Sequence, residues 1–287
     1  MVPGSLKSPL MEARDLILSP ELSEFEVESF LRRFGIQEPE AADRNIRHLL
    51  DLTQAPERLA GFLEVLLESA SASVDPDAAL THFAHYLEAV PSALNLLSFL
   101  QEDPRAADLL IGILGASPFL SQILIRNPEY LYWMAESNRA ERIRERSYFF
   151  EEAAKSVRPF ETLNDSMNAL RRFKRRESLR IGAQDLLGLS TMTQTVSQVS
   201  SLADSVLETT FQVLARERFG GSISGFLVVA LGKLGGEELN FSSDIDLFFL
   251  YEDDAHQREM LKFAREYSRL LGEHSPEGHL YLSLIHI

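Results

Sequence analysis

Apolar residues recur at helical spacing from about residue 19 to residue 180. Leu59, Phe62, Leu63, Leu66 and Leu67 are one example; they fall on a single face of a helix. A second punctuation runs through the same region, a short polar residue followed by proline. It occurs at Ser19-Pro20, Asp75-Pro76, Asp103-Pro104, Ser117-Pro118 and Asn127-Pro128. Ser, Asp and Asn favour the N-cap, and proline suits the first helical position, so each pair marks a helix start. The pattern predicts helices over 20–34 (stopped by Gly35), 39–53, 56–70, 76–89, 92–102, 104–114, 118–125 and 128–136. Residues 1–18 read as a loosely ordered leader with a short helix at 10–17.

After residue 180 the period changes. A long helix is expected over 191–219, ending at Gly220-Gly221, with Val196, Val199, Leu202, Val206 and Leu207 on its apolar face. Residues 225–231 and 243–251 are rich in Val, Ile, Phe and Leu and read as strands. A helix at about 255–272 follows, and GHLYLSLIHI reads as a third strand. The fold class is therefore α+β. Its expected domains are an all-helical region over 19–180 and an α/β-patterned domain with a small mixed sheet over 181–287.

Composition narrows the class of protein. The net charge is −15, from 43 acids against 28 bases, which argues against broad nucleic-acid or anionic-membrane binding. The absence of cysteine removes disulfides, thiolate metal sites and thiol nucleophiles. No apolar run approaches the ~18 residues needed to span a bilayer. Leu94 to Leu114 is interrupted by Gln101, Glu102, Asp103, Arg105 and Asp108, and the N-terminus lacks the apolar core of a signal peptide. These features fit a protein of the reducing cytoplasm. Against the acidic background, the helical segment NALRRFKRRESLRI (168–181) stands out. It turns Leu170, Phe173 and Leu179 inward and Arg171, Arg172, Lys174, Arg175, Arg176 and Arg180 outward. That face is either a phosphate-facing patch or a solvated surface balanced by acids.

The candidate chemistry lies in GFLVVALGKLGGEELNFSSDIDLFFL (225–250). Strand, glycine-rich turn, short helix and second strand follow in order. Gly232, Gly235 and Gly236 let backbone approach a phosphate, Lys233 adds a cation and Ser243 a hydroxyl. Asp244 and Asp246, two apart, stand on one face of a strand, with Ile245, Leu247 and Phe249 on the other. Two carboxylates in an apolar segment are costly unless a cation sits between them, and oxygen ligands suit Mg²⁺ or Mn²⁺. A two-metal site of this kind stabilises the attacking and leaving oxygens of nucleotidyl transfer. The histidines offer no metal-ligand spacing apart from His82 and His85, which read as surface or helix-packing residues.

This Gly turn and Asp-x-Asp strand resemble those of the polymerase-β-like nucleotidyltransferases. Within them, ALGKLGGEELNFSSDIDLFFLY, SMNALRRFKRRESLRIGAQDLLGL and ASPFLSQILIRNPEYL are similar to the bifunctional glutamine synthetase adenylyltransferase/adenylyl-removing enzymes. The resemblance implies a nucleotidyltransferase using Mg²⁺ or Mn²⁺, with ATP or ADP and phosphate as substrates. It implies glutamine synthetase as the protein substrate and the PII signal protein as a regulatory partner. A helical leader followed by one motif resembles the N-terminal half, which removes AMP from a tyrosine by phosphorolysis. The motif itself leaves open the forward reaction and a nucleotide-binding module without turnover. A helical scaffold alone leaves the Asp-x-Asp strand unexplained. The family carries a third carboxylate in a later segment, Gly-x-x-Tyr-x-Val-Asp. Gly278 and Tyr281 fit that pattern, but the Asp position falls at Leu284. The tail after Tyr281 departs from the family, so the chain is expected to be truncated or mis-joined there and weakly active or inactive.

Overall fold

The computed structural model describes residues 11–19, 22–221, 223–241, 243–252 and 257–286, and the side chains of 137, 138, 140 and 283–286 are not described. It separates into two compact units, Met1–Arg139 and Ala140–Ile287. The helices over 146–186, grouped with the helical region in the sequence reading, pack in the second unit.

The first unit is helical among its described residues: α1 Asp15–Leu18, α2 Glu24–Arg32, α3 Pro39–Thr53, α4 Pro56–Ala72, α5 Pro76–Ala89, α6 Ala93–Glu102, α7 Pro104–Ala116, α8 Pro118–Arg126 and α9 Glu129–Ala135. The proline punctuation works as expected at three starts. Asp75, Asp103 and Ser117 accept from Ala78, Ala106 and Leu120 N–H at 2.9, 3.3 and 3.3 Å. Asn127 behaves differently: its amide donates back to the Ile123 carbonyl at 2.9 Å, closing α8 rather than opening α9. Pro20 and most of the leader lie outside the described residues. Instead α2 begins at a capping box, Ser23 with Glu26. The predicted apolar stripe of α4 is the core face, with Leu59, Phe62, Leu63, Leu66 and Leu67 fully buried. His82 packs by a 2.7 Å hydrogen bond between its ring nitrogen and the Leu114 carbonyl.

The second unit holds α10 Arg146–Val157, α11 Leu163–Leu186, α12 Met192–Phe219, β1 Phe226–Leu231, α13 Gly232–Gly235, β2 Ile245–Tyr251, α14 Gln257–Gly272 and β3 Ser283–His286. The sheet is mixed, in the order β1-β2-β3, antiparallel then parallel. Alternation sends Phe226, Leu247 and Phe249 into a core shared with α12 and α14. Phe263 meets Phe226 edge-on at 5.2 Å, and Tyr267 meets Phe249 at 6.0 Å. Such pairs contribute about 0.5–1.5 kcal/mol each beyond area burial. The third strand is shorter than GHLYLSLIHI suggests. Leu280 and Tyr281 N–H both donate to the Leu271 carbonyl, at 3.1 and 3.0 Å, and both side chains are buried. The segment before Ser283 is thus pulled against α14 instead of the sheet. Among the described residues no helix is long and apolar enough to cross a membrane.

An ion pair sits inside the helical layer. Glu177 and Arg180 have no exposed side-chain surface and meet at 2.8 Å. Arg180 also donates to the Gln184 and Gln198 side chains and to the Arg142 carbonyl at 3.1–3.2 Å. Arg180 therefore faces inward, contrary to the outward placement expected from the helical pattern. Removing one partner strands the other charge in the core. Glu177→Ala is expected to destabilise the protein by about 3–5 kcal/mol, read by urea unfolding followed by circular dichroism.

Candidate functional site

Register builds the site. β1 pairs with β2 so that Leu231 lies opposite Asp246, and the chain turns at the next residue. Gly232 takes φ +58°, a left-handed conformation that glycine adopts without steric cost. A Cβ there would meet Asp246 Oδ2 at 2.8 Å, so the missing side chain leaves backbone and carboxylate in close approach. Gly235 has a different reason: a Cβ would stand 2.6 Å from the Ala230 carbonyl. Gly236 lacks such a constraint; its nearest contacts would be ordinary, at 3.6 and 3.8 Å. Buried Leu234 and Leu239 pin the turn into the core. Leu239 N–H donates to Ser200 Oγ of α12 at 3.1 Å.

Polar side chains then converge on the mouth of the turn. Lys233 Nζ donates to Ser243 Oγ at 3.3 Å, and Ser243 Oγ donates to Asn240 Oδ1 at 2.6 Å. Lys233 and Asp244 are exposed, and Ser243 and Asp246 are half-buried. β2 begins at Ile245, so Asp244 stands just ahead of the strand instead of within it. Ile245, between the two aspartates, donates its N–H to the Leu282 carbonyl at 3.0 Å. On the far side of β2, Leu284 of β3 is the backbone partner of Asp246. The position at which the family pattern calls for a third carboxylate is therefore beside Asp246 in register, and it is a leucine. Among the described residues no group of three or more His, Asp or Glu is placed to hold a metal ion. Asp244 and Asp246 bring carboxylate oxygens, the donor type a divalent cation takes, and the missing side chain of Gly232 lets backbone lie against the Asp246 carboxylate.

The basic helix is balanced by acids in part, through Glu277 and Glu177, and otherwise meets backbone carbonyls. Arg171 is buried and donates to the Glu273 carbonyl at 3.2 Å. Arg172 and Arg175 reach the Glu277 carboxylate at 3.0 and 2.7 Å. Lys174 donates to the Leu280 carbonyl and lies 4.0 Å from the centre of the Tyr281 ring. Burial pulls the Lys174 amine down to about 8. The His279 and His274 rings lie tilted to each other with centres 4.9 Å apart. His279 is held below its ordinary value by burial first and then by Lys174, while Asp244 acts the other way. It lies in the loop between α14 and β3. These pairings join residues about a hundred positions apart, so no local signal announces them. Ser200 and Asn240 were also missed. Ser200 is one of several buried polar residues of α12, with Gln198, Ser201 and Ser205, a hint that apolar counting passes over.

A separate cavity of about 270 Å³ lies on the core side of the sheet, lined by Phe150, Phe211, Val228 and Leu247, with Arg146 and Asp204 paired at 2.6 Å. Neither Asp244 nor Asp246 lines it.

Residues 107–281 match the family model described as glutamate-ammonia ligase adenylyltransferase. Similar proteins include bifunctional glutamine synthetase adenylyltransferase/adenylyl-removing enzymes from three bacteria. That of Ralstonia nicotianae is 31% identical over 223 residues, covering 75% of this chain and 23% of that protein. That of Leifsonia xyli is 29% identical, covering 86% and 25%. That of Streptomyces coelicolor is 30% identical, covering 84% and 26%. The chain spans about a quarter of the length of the curated relatives it matches.

The glycines give a graded test of the geometry. Gly235→Ala forces backbone apart and is expected to destabilise by about 2–3 kcal/mol, and Gly232→Ala by roughly 1–2 kcal/mol. Gly236→Ala stays within about 0.5 kcal/mol. Urea midpoints of the three variants check that order.

Proposed function

Because this chain belongs to the glutamate-ammonia ligase adenylyltransferase family, we propose that the turn at Gly232 and the Asp244–Asp246 pair form a polymerase-β-like nucleotidyl-transfer site. Its substrate is adenylylated glutamine synthetase, and its reaction is phosphorolytic removal of AMP to give ADP. The observation that carries the reading is the register Leu231–Asp246, with Gly232 in left-handed conformation against the carboxylate. The relatives' names, which join adenylyl transfer with adenylyl removal, support adenylyl chemistry at this site.

Asp244 and Asp246 would hold Mg²⁺ or Mn²⁺, which supplies neutralisation of charge on the transferred AMP. The protein's own groups do the rest. Backbone at Gly232 and Gly235 admits the phosphate closely, and Lys233, already hydrogen-bonded to Ser243, brings a cation to its oxygens. Phosphate attacks the AMP phosphorus, the bond to the tyrosine oxygen breaks, and ADP and free tyrosine result. A second reading has an observation of its own. Leu284, not a carboxylate, is the partner of Asp246, which favours nucleotide binding with little turnover in this chain.

Single-turnover release of AMP, as ADP, from adenylylated glutamine synthetase with phosphate and Mg²⁺ separates the two. The expected result is slow release, abolished in Asp244→Asn/Asp246→Asn and raised about tenfold or more in Leu284→Asp. No release in any of these, with nucleotide still bound, leaves the binding module. Release that survives the double change removes the proposed site.

A further inference from the structure

The basic ridge of α11 touches the candidate site only indirectly, yet Arg171, Arg172, Lys174 and Arg175 all reach the segment that leads into β3. Arg171 takes the Glu273 carbonyl at 3.2 Å and the Leu270 carbonyl at 3.5 Å. Arg175 takes the Glu277 carbonyl at 3.1 Å as well as its carboxylate at 2.7 Å, and Arg172 takes the other carboxylate oxygen at 3.0 Å. Lys174 takes the Leu280 carbonyl, with its ammonium over the Tyr281 ring. One residue beyond Tyr281, the Leu282 carbonyl accepts from Ile245 N–H, the amide between the two aspartates. Ser283 and Leu284 then pair with Ile245 and Asp246.

A single turn of α11 thus grips the backbone from 270 to 280, immediately before the strand that flanks the carboxylates. Carbonyls at a helix end and in a tight turn accept strong hydrogen bonds from cations. The forked guanidinium of Arg175 holds both backbone and side chain of Glu277, which sets direction as well as distance. The Lys174 ammonium leaves water to meet the Leu280 carbonyl and the Tyr281 ring, and burial lowers its amine accordingly. A lysine chosen only to cover the surface would keep its ammonium in water.

We propose that Lys174, with Arg171, Arg172 and Arg175, is a positioning device that fixes β3 beside Asp244 and Asp246 and so sets the carboxylate edge for its cation. The ridge touches carbonyls and not substrate, so these are positioning residues. The assignment rests on the nucleotidyl-transfer reading for its consequence, but its structural half stands independently.

Amide hydrogen exchange of the full 287-residue chain tests that half, and calorimetric titration with ATP and Mg²⁺ tests the consequence. In Lys174→Met the amides of 283–286 are expected to exchange about tenfold faster while those of α12 are unchanged. ATP–Mg²⁺ affinity is expected to fall about tenfold, and Lys174→Arg is expected to restore both. Glu277→Gln, at a half-exposed position, is expected to shift exchange in the same direction and serves if Lys174→Met does not fold. Unchanged exchange in 283–286, or equal acceleration throughout the second unit, overturns the proposal. Faster local exchange with full affinity also overturns it, by showing that the cation edge does not depend on β3. A wild-type chain that binds no ATP–Mg²⁺ removes the nucleotide reading and leaves exchange to judge the ridge.

Discussion

The pairing of β1 with β2 is the constraint on which the second unit depends. Side chains alternate along a strand, so a slip of one residue would turn Asp246 into the core and Leu247 out to solvent. Both errors are costly, and the same alternation that buries Phe226, Leu247 and Phe249 holds Asp246 at the open face. Gly232 follows from that register. Opposite a carboxylate, at the end of an antiparallel pair, the chain must turn at once and closely, and a side chain there would strike Asp246. The turn, the aspartates and the aromatic core thus form one connected arrangement.

Much of this was legible along the chain because it is local. Helix starts at Asp75, Asp103 and Ser117 depend on side chains bonding three residues ahead. The strand pair and its turn depend on alternation and on glycine spacing within a stretch of about twenty-five residues. The order of elements and the α+β class follow from such patterns. What could not be read was the long-range pairing of polar groups. Arg180 looks like a surface arginine by periodicity. It is buried because Glu177, Gln184 and Gln198 close around it. Lys174 and Arg175 look like a charged face and instead hold carbonyls near residue 280. The tail departs from its pattern in the same way: GHLYLSLIHI alternates like a strand, but Leu271 draws Leu280 and Tyr281 onto α14 first.

The acidic balance of the chain and the basic helix are compatible in this light. Four of the helix's six cations, Arg171, Arg172, Lys174 and Arg175, meet carbonyls or carboxylates between residues 270 and 280, and Arg180 is spent inside the helical layer. Arg176 lies 3.7 Å from the Glu177 carboxylate, and Lys233 is exposed at the turn itself. Recognition of a nucleotide then rests on close backbone approach and the two aspartates rather than on a broad positive surface.

The central claim is that Asp244, Asp246 and the Gly232 turn together bind a nucleotide through a divalent cation. Calorimetric titration of the chain with ATP, with and without Mg²⁺, tests it most directly when repeated on Asp244→Asn/Asp246→Asn. The expected result is binding that requires Mg²⁺ and disappears in the double variant, with the fold intact by circular dichroism. Binding that ignores Mg²⁺, or that persists undiminished without the two carboxylates, would contradict it.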